Sequence, residues 1–97
     1  MLYCVEIDVK IPDGIDPAKL EELKIKEKAT STGYQESGEW VHLWRVAGKF
    51  GNVSIFDVAD HDRLHEILWS LPLFPFMTVR VIPLARHPSA IDRAAAA

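Results

Sequence analysis

The chain has 97 residues, 48% hydrophobic and 26% charged, the mix of one small globular domain. Its 11 Lys+Arg against 14 Asp+Glu give a formal net charge of −3, a poor balance for wrapping nucleic acid or an anionic membrane. One cysteine rules out an internal disulfide framework and paired-cysteine zinc sites, and no apolar run nears the roughly 20 residues of a membrane helix. Met1-Leu2-Tyr3 opens without a basic segment or cleavage site, which with the lone cysteine sets the expectation of a cytoplasmic protein. Phosphate-binding glycine loops and the G-x-S-x-G elbow are absent from the sequence.

Residues 2–11 alternate, with Tyr3, Val5, Ile7, Val9 and Ile11 on one face, as a half-buried strand does. Pro12-Asp13-Gly14 ends it. Asp16-Pro17 then reads as an N-cap followed by proline at the first helical position. The helix runs from Pro17 to about Glu36, and Leu20, Leu23, Glu27 and Tyr34 share one of its faces. Trp40 to Ala47 and Asn52 to Val58 read as an antiparallel hairpin across a glycine-flanked link. Asp60 caps a second helix with the stripe Leu64, Ile67, Leu68 and Leu71, which Pro72 stops. Met77 to Leu84 is the fourth strand.

The order β-α-β-β-α-β is the split βαβ pattern. The fold class is therefore α+β and ferredoxin-like: one four-stranded antiparallel sheet with two helices on one face. A single domain is expected over residues 1–91, including a C-terminal tail, with 92–97 as a disordered terminus. If the sides of the four strands coincide, the uncovered face carries Trp40, His42 and Trp44 with Cys4, Glu6, Asp8, Asn52, Ser54, Thr78 and Arg80. Such a surface suits an oligomer interface or a ligand pocket.

Glu27 is the most informative residue. A carboxylate on an apolar helical stripe is either desolvated, which raises its pKa toward the range of a general base, or an edge residue paired with Lys24 or Lys28. His61 and His65 have the i,i+4 spacing of a chelating pair but no evident third ligand, so no metal is expected. His65 alone can serve as a hydrogen-bonding group at a pocket edge. Arg45 interrupts the apolar side of its strand; it can grip a substrate carboxylate with its forked donors or pair with Asp57. Asn52 and Ser54 share one side of their strand and can donate to an oxyanion, or simply face solvent. Cys4 has no local activator and reads as an inert thiol.

Several stretches together resemble the muconolactone Δ-isomerase family: Met1-Leu2, Leu23-Lys24 with Glu27-Lys28, Trp40, His42-Leu43-Trp44-Arg45, Gly48, Asn52, Ser54 and Phe56-Asp57-Val58. The likeness continues through Leu64-His65, Leu71-Pro72-Leu73-Phe74-Pro75 and His87-Pro88-Ser89, and so reaches about residue 91. Within the same family, 5-chloromuconolactone dehalogenase is similar too, notably at Trp69-Ser70-Leu71-Pro72.

The resemblance implies a ferredoxin-like fold and a homo-oligomer, a decamer, in which neighbours contribute to each site. It implies a cofactor-independent conversion of muconolactone, a small lactone, to 3-oxoadipate enol-lactone through a dienolate, within the β-ketoadipate pathway of aromatic catabolism. By the same token it implies Glu27 as the base and Lys24 as a stabiliser of the oxyanion or the acetate arm. Asn52, Ser54 and His65 become donors to the lactone or its carboxylate, and Arg45 a partner for the acetate. At Phe50, a substrate-binding position, the resemblance leads one to expect tyrosine; the phenyl ring has no hydroxyl to offer. The alternatives are the dehalogenase activity, which the same proton abstraction would start, and a non-catalytic binding module of the same fold.

Overall fold

The computed structural model describes residues 1–93. The strands are β1 (Leu2–Val9), β2 (Trp40–Arg45), β3 (Gly51–Asp57) and β4 (Met77–Leu84), and the helices are α1 (Pro17–Glu36) and α2 (His61–Ser70). A short 3₁₀ turn, Phe74–Phe76, leads from α2 into β4. The sheet order is β2-β3-β1-β4 with every neighbouring pair antiparallel, the ferredoxin-like arrangement expected. Among the described residues no helix is long and apolar enough to cross a membrane. The expected disordered terminus at 92–97 falls mostly outside the described residues.

The central strand β1 sets the core. Tyr3, Val5 and Ile7 point to the helix side and are 1%, 0% and 1% exposed. Phe56 of β3, Trp40 of β2 and Leu64, Ile67, Leu68 and Leu71 from α2 and its end close over them. The Trp40 and Phe56 rings pack with centroids 4.7 Å apart. Asp16 and Asp60 cap the helices as their sequence positions suggest: Asp16 Oδ1 accepts from Ala18 N at 3.3 Å and Asp60 Oδ1 from Arg63 N at 2.8 Å. After α1, Gly38 at φ 86° supplies the left-handed turn that sends the chain back into β2.

The uncovered face differs from the expectation at two places. A register irregularity between Trp40 and His42 inserts one residue into β2. It buries Trp40 on the helix side, while His42 and Trp44 face outward opposite Ile55 and Val53. Asn52 and Ser54 also lie on the helix side, because they pair with Ile7 and Val5 of β1. The outer face therefore carries Cys4, Glu6, Asp8, His42, Trp44, Thr78 and Arg80 without Trp40, Asn52 or Ser54. Strand pairing is also shorter than the alternation suggested: β1 stops at Val9 and β2 at Arg45. Beyond Arg45 the chain turns through Gly48, and Val46 N donates to Gly51 O at 3.1 Å to close the hairpin.

Candidate active site

The inward face of α1 is sparsely apolar. Leu20, Leu23 and Tyr34 are only half-buried, Ser31 is buried, and Glu27 stands in the middle of the stripe. A helix with so little to bury does not seal onto the sheet. Between it and β2, β3 and the start of β4 lies a cavity of about 340 Å³. Glu27 and Ser31 line it from α1, Trp40, Leu43 and Arg45 from β2, and Asn52 from β3. Val9, Phe50, Gly51, Leu73 and Met77 complete the wall. The volume is at the small end of ligand pockets, roughly 300–1,000 Å³.

Glu27 is held at this cavity by one strong contact. Leu73 N donates to Glu27 Oε1 at 2.9 Å, and no other hydrogen-bond partner of the carboxylate occurs among the described residues. The donor exists because Pro72 and Pro75 break the helix here. Phe74 N and Phe76 N fold back onto Leu71 O and Leu73 O at 2.9 Å each, which leaves Leu73 N unclaimed by the backbone. Burial pushes the Glu27 pKa up from the ordinary glutamate value, and the Leu73 N–H partly opposes the rise. The possible pairing with Lys24 or Lys28 is not seen: neither lysine forms an ion pair with Glu27.

Two cations meet at the cavity mouth. The Arg45 guanidinium carbon lies 5.5 Å from the Phe50 ring centroid, and the Lys24 ammonium lies 5.9 Å from the same centroid. Lys24 stands just outside the lining. Arg45 has no carboxylate partner among the described residues; Asp57 lies at the other end of β3 and takes the N-terminal ammonium at 3.3 Å. Phe50 thus acts as an apolar plate flanked by two cations, each attracted to the ring face by about 0.5–1 kcal/mol at an exposed site.

The other candidates are distributed differently. Asn52 is half-buried and lines the cavity. Ser54 is 0% exposed and does not line it; its hydroxyl meets Asn52 Oδ1 at 2.7 Å. His65 does not line this cavity and instead lines a second cleft with His61, Asp62, Leu64, Leu68 and Val81. Its ring packs on Trp69 at 5.3 Å between centroids. His61 is engaged by Tyr3 Oη through Nδ1 at 2.7 Å. Among the described residues no three His, Cys, Asp or Glu side chains cluster as a metal site would require. Cys4 is a half-buried free thiol on the outer sheet face.

Three groups at the cavity are not singled out as site residues by the sequence. Leu73 contributes a backbone donor, signalled only by the prolines around it. Ser31 falls on the Leu23–Glu27 helical face one turn further on. Trp40 walls the cavity after the bulge turns it inward, with its indole N–H sealed and without a partner among the described residues.

The chain is similar to known proteins over most of its length. The family described as muconolactone delta-isomerase matches residues 1–90. The muconolactone Delta-isomerase of Rhodococcus opacus is 50% identical over 88 residues, covering 91% of this chain and 95% of that protein. The one from Cupriavidus pinatubonensis is 48% identical over 91 residues, covering 94% and 99%. The crystal structure of a muconolactone isomerase superposes with a TM-score of 0.90 at 48% identity, covering 95% of this chain and 96% of that one.

Proposed function

The chain belongs to the muconolactone Δ-isomerase family and is an isomerase, and from that premise we propose that Glu27 moves the proton in the cavity beneath α1. Muconolactone is a butenolide with an acetate arm. Its conversion to 3-oxoadipate enol-lactone, a step of aromatic catabolism, shifts the ring double bond from the α,β to the β,γ position. A proton leaves the ring carbon bearing the arm, and one arrives on the carbon beside the carbonyl. The intermediate is a dienolate whose charge spreads over the ring and its carbonyl oxygen. The chemistry asks for a base, a donor at that oxygen and a cation for the arm, and it asks for no cofactor.

The observation that carries this reading is the state of Glu27. It is half-buried at a cavity wall, tied through Oε1 to Leu73 N, with no partner for its second oxygen among the described residues. One carboxylate oxygen can then take the proton and return it two atoms away on the same ring face. General acid–base participation of this kind is worth about 10²–10⁴-fold. Asn52 is the donor for the lactone carbonyl oxygen. Arg45, with Lys24 beside it, receives the acetate at the mouth, where charge-assisted contacts are strongest in a forked geometry. Phe50 supports the arm by packing alone. A direct ultraviolet assay with muconolactone tests the reading: turnover is expected, and none would leave only a binding module of this fold.

We infer further that the working unit is a homo-oligomer, and a decamer is the assembly proposed. Leu2 and Trp44 on the outer sheet face are 46% and 55% exposed, and Trp69, Val81 and Leu84 are 63%, 41% and 42% exposed. So much apolar surface suits contact with other copies. On this account His65 reaches a substrate only from a neighbouring copy, since it lines a cleft separate from that of Glu27. The free thiol of Cys4 is in keeping with a reducing, cytoplasmic setting.

A further inference from the structure

We propose that Ser54 is a positioning residue: its buried hydroxyl holds the Asn52 carboxamide by the oxygen and so aims the amide N–H group at the lactone carbonyl oxygen. This deepens the isomerase reading and rests on it. Ser54 and Asn52 stand two apart on β3 and share one face. Ser54 is 0% exposed, flanked across the sheet by Val5 and Leu43, so water does not reach its hydroxyl. Among the described residues its one side-chain hydrogen bond is to Asn52 Oδ1 at 2.7 Å.

A carboxamide offers an oxygen on one side and an amino group on the other, and the two arrangements have nearly the same shape. The environment of Ser54 decides between them. If Asn52 turned its amino group to Ser54, the serine would accept and its own proton would be buried without an acceptor. With the oxygen turned to Ser54, the hydroxyl proton is satisfied and no buried group is orphaned. The Asn52 amino group then faces the cavity, where it has no protein partner among the described residues. It meets the carbonyl oxygen as that atom gains charge on proton loss. A donor oriented before the charge develops stabilises the transition state more than the bound substrate.

The test is a cycle of Asn52→Ala, Ser54→Ala and the double variant, assayed for kcat and KM on muconolactone, with thermal denaturation as a control. Asn52→Ala is expected to lower kcat by about 10²–10³-fold, the effect of losing one oxyanion donor. Ser54→Ala is expected to lower kcat about tenfold or more with little change in KM, and to add nothing once Asn52 is alanine, because residues acting as a unit are not additive. A Ser54→Ala protein with wild-type kcat, or one that loses the same factor in both backgrounds, would overturn the proposal. Should Ser54→Ala fail to fold, Asn52→Asp decides. It keeps an oxygen for Ser54 but replaces the donor with an acceptor, so wild-type kcat in that variant would overturn the proposal and a loss like that of Asn52→Ala supports it. Glu27→Gln in the same series separates the two ideas: turnover surviving there removes the base, while the Asn52–Ser54 pair is still judged by its own cycle.

Discussion

At Glu27 two effects compete. Burial disfavours the charged carboxylate, and the Leu73 N–H favours it; burial wins, so the pKa is raised. A base must be ionised to act. The acid limb of kcat/KM should therefore fall at a pH above the usual glutamate value of about 4.3. A pH–rate profile checks this, and Glu27→Asp should keep a limb where Glu27→Gln has none. On the proposed reading Arg45 acts on binding more than on chemistry. Arg45→Met should raise KM by about tenfold, the scale of an exposed charge-assisted contact, with a smaller effect on kcat. Glu27 was legible in the sequence because a carboxylate in an apolar stripe has to be explained. Its donor was not, because Leu73 acts through its backbone and any residue but proline carries that N–H. Ser54 and Asn52 were legible as a pair; that one buries itself to orient the other depends on which strands flank β3.

The elements were readable wherever a period ran unbroken. The α1 boundaries follow from Asp16-Pro17 and Gly38, and α2 follows from Asp60 and Pro72. The face of β2 was not readable, since one inserted residue reverses every side chain after it. That insertion turns Trp40, Leu43 and Arg45 toward the cavity and so supplies three of its eleven lining residues. The hairpin beyond β2 makes a sharper demand. A Cβ at Gly51 would sit 2.7 Å from Asp8 Oδ1 and 2.8 Å from Ile7 O. Gly51→Ala should therefore destabilise by about 1–3 kcal/mol, the range of an overpacked site, and lower Tm by several degrees in thermal denaturation. Adding Asp8→Ala should not restore it, because the Ile7 carbonyl is backbone and cannot move aside. Loss of the hairpin position would also move Asn52 and Phe50, so activity should fall with stability.

The described chain is more extended than a domain of its length needs to be. Its radius of gyration is 15.0 Å, against about 12 Å expected for a compact chain of this size. The segment after Leu84 is exposed throughout, and among the described residues its side-chain hydrogen bonds run within itself: Arg86 reaches Asp92 Oδ1 at 2.9 Å and Ala90 O at 3.0 Å. Ile91 there is 68% exposed. Deleting residues from Ala85 onward should lower the mass of the assembly in light scattering; an unchanged mass would show that the tail holds no copies together. The proposed assembly is only partly legible, since exposed aromatics suit a contact without giving its symmetry. The most direct measurement of the central claim is the turnover of Glu27→Gln at neutral pH in the assembled protein. The glutamine keeps an oxygen for Leu73 N and loses only the base. A raised carboxyl pKa means the folded state binds the proton more tightly, so stability falls as pH rises through the raised value. The neutral side chain should therefore raise Tm at neutral pH while kcat falls by at least about 10²–10⁴-fold. Turnover close to wild type in a folded, fully assembled Glu27→Gln protein would contradict the account.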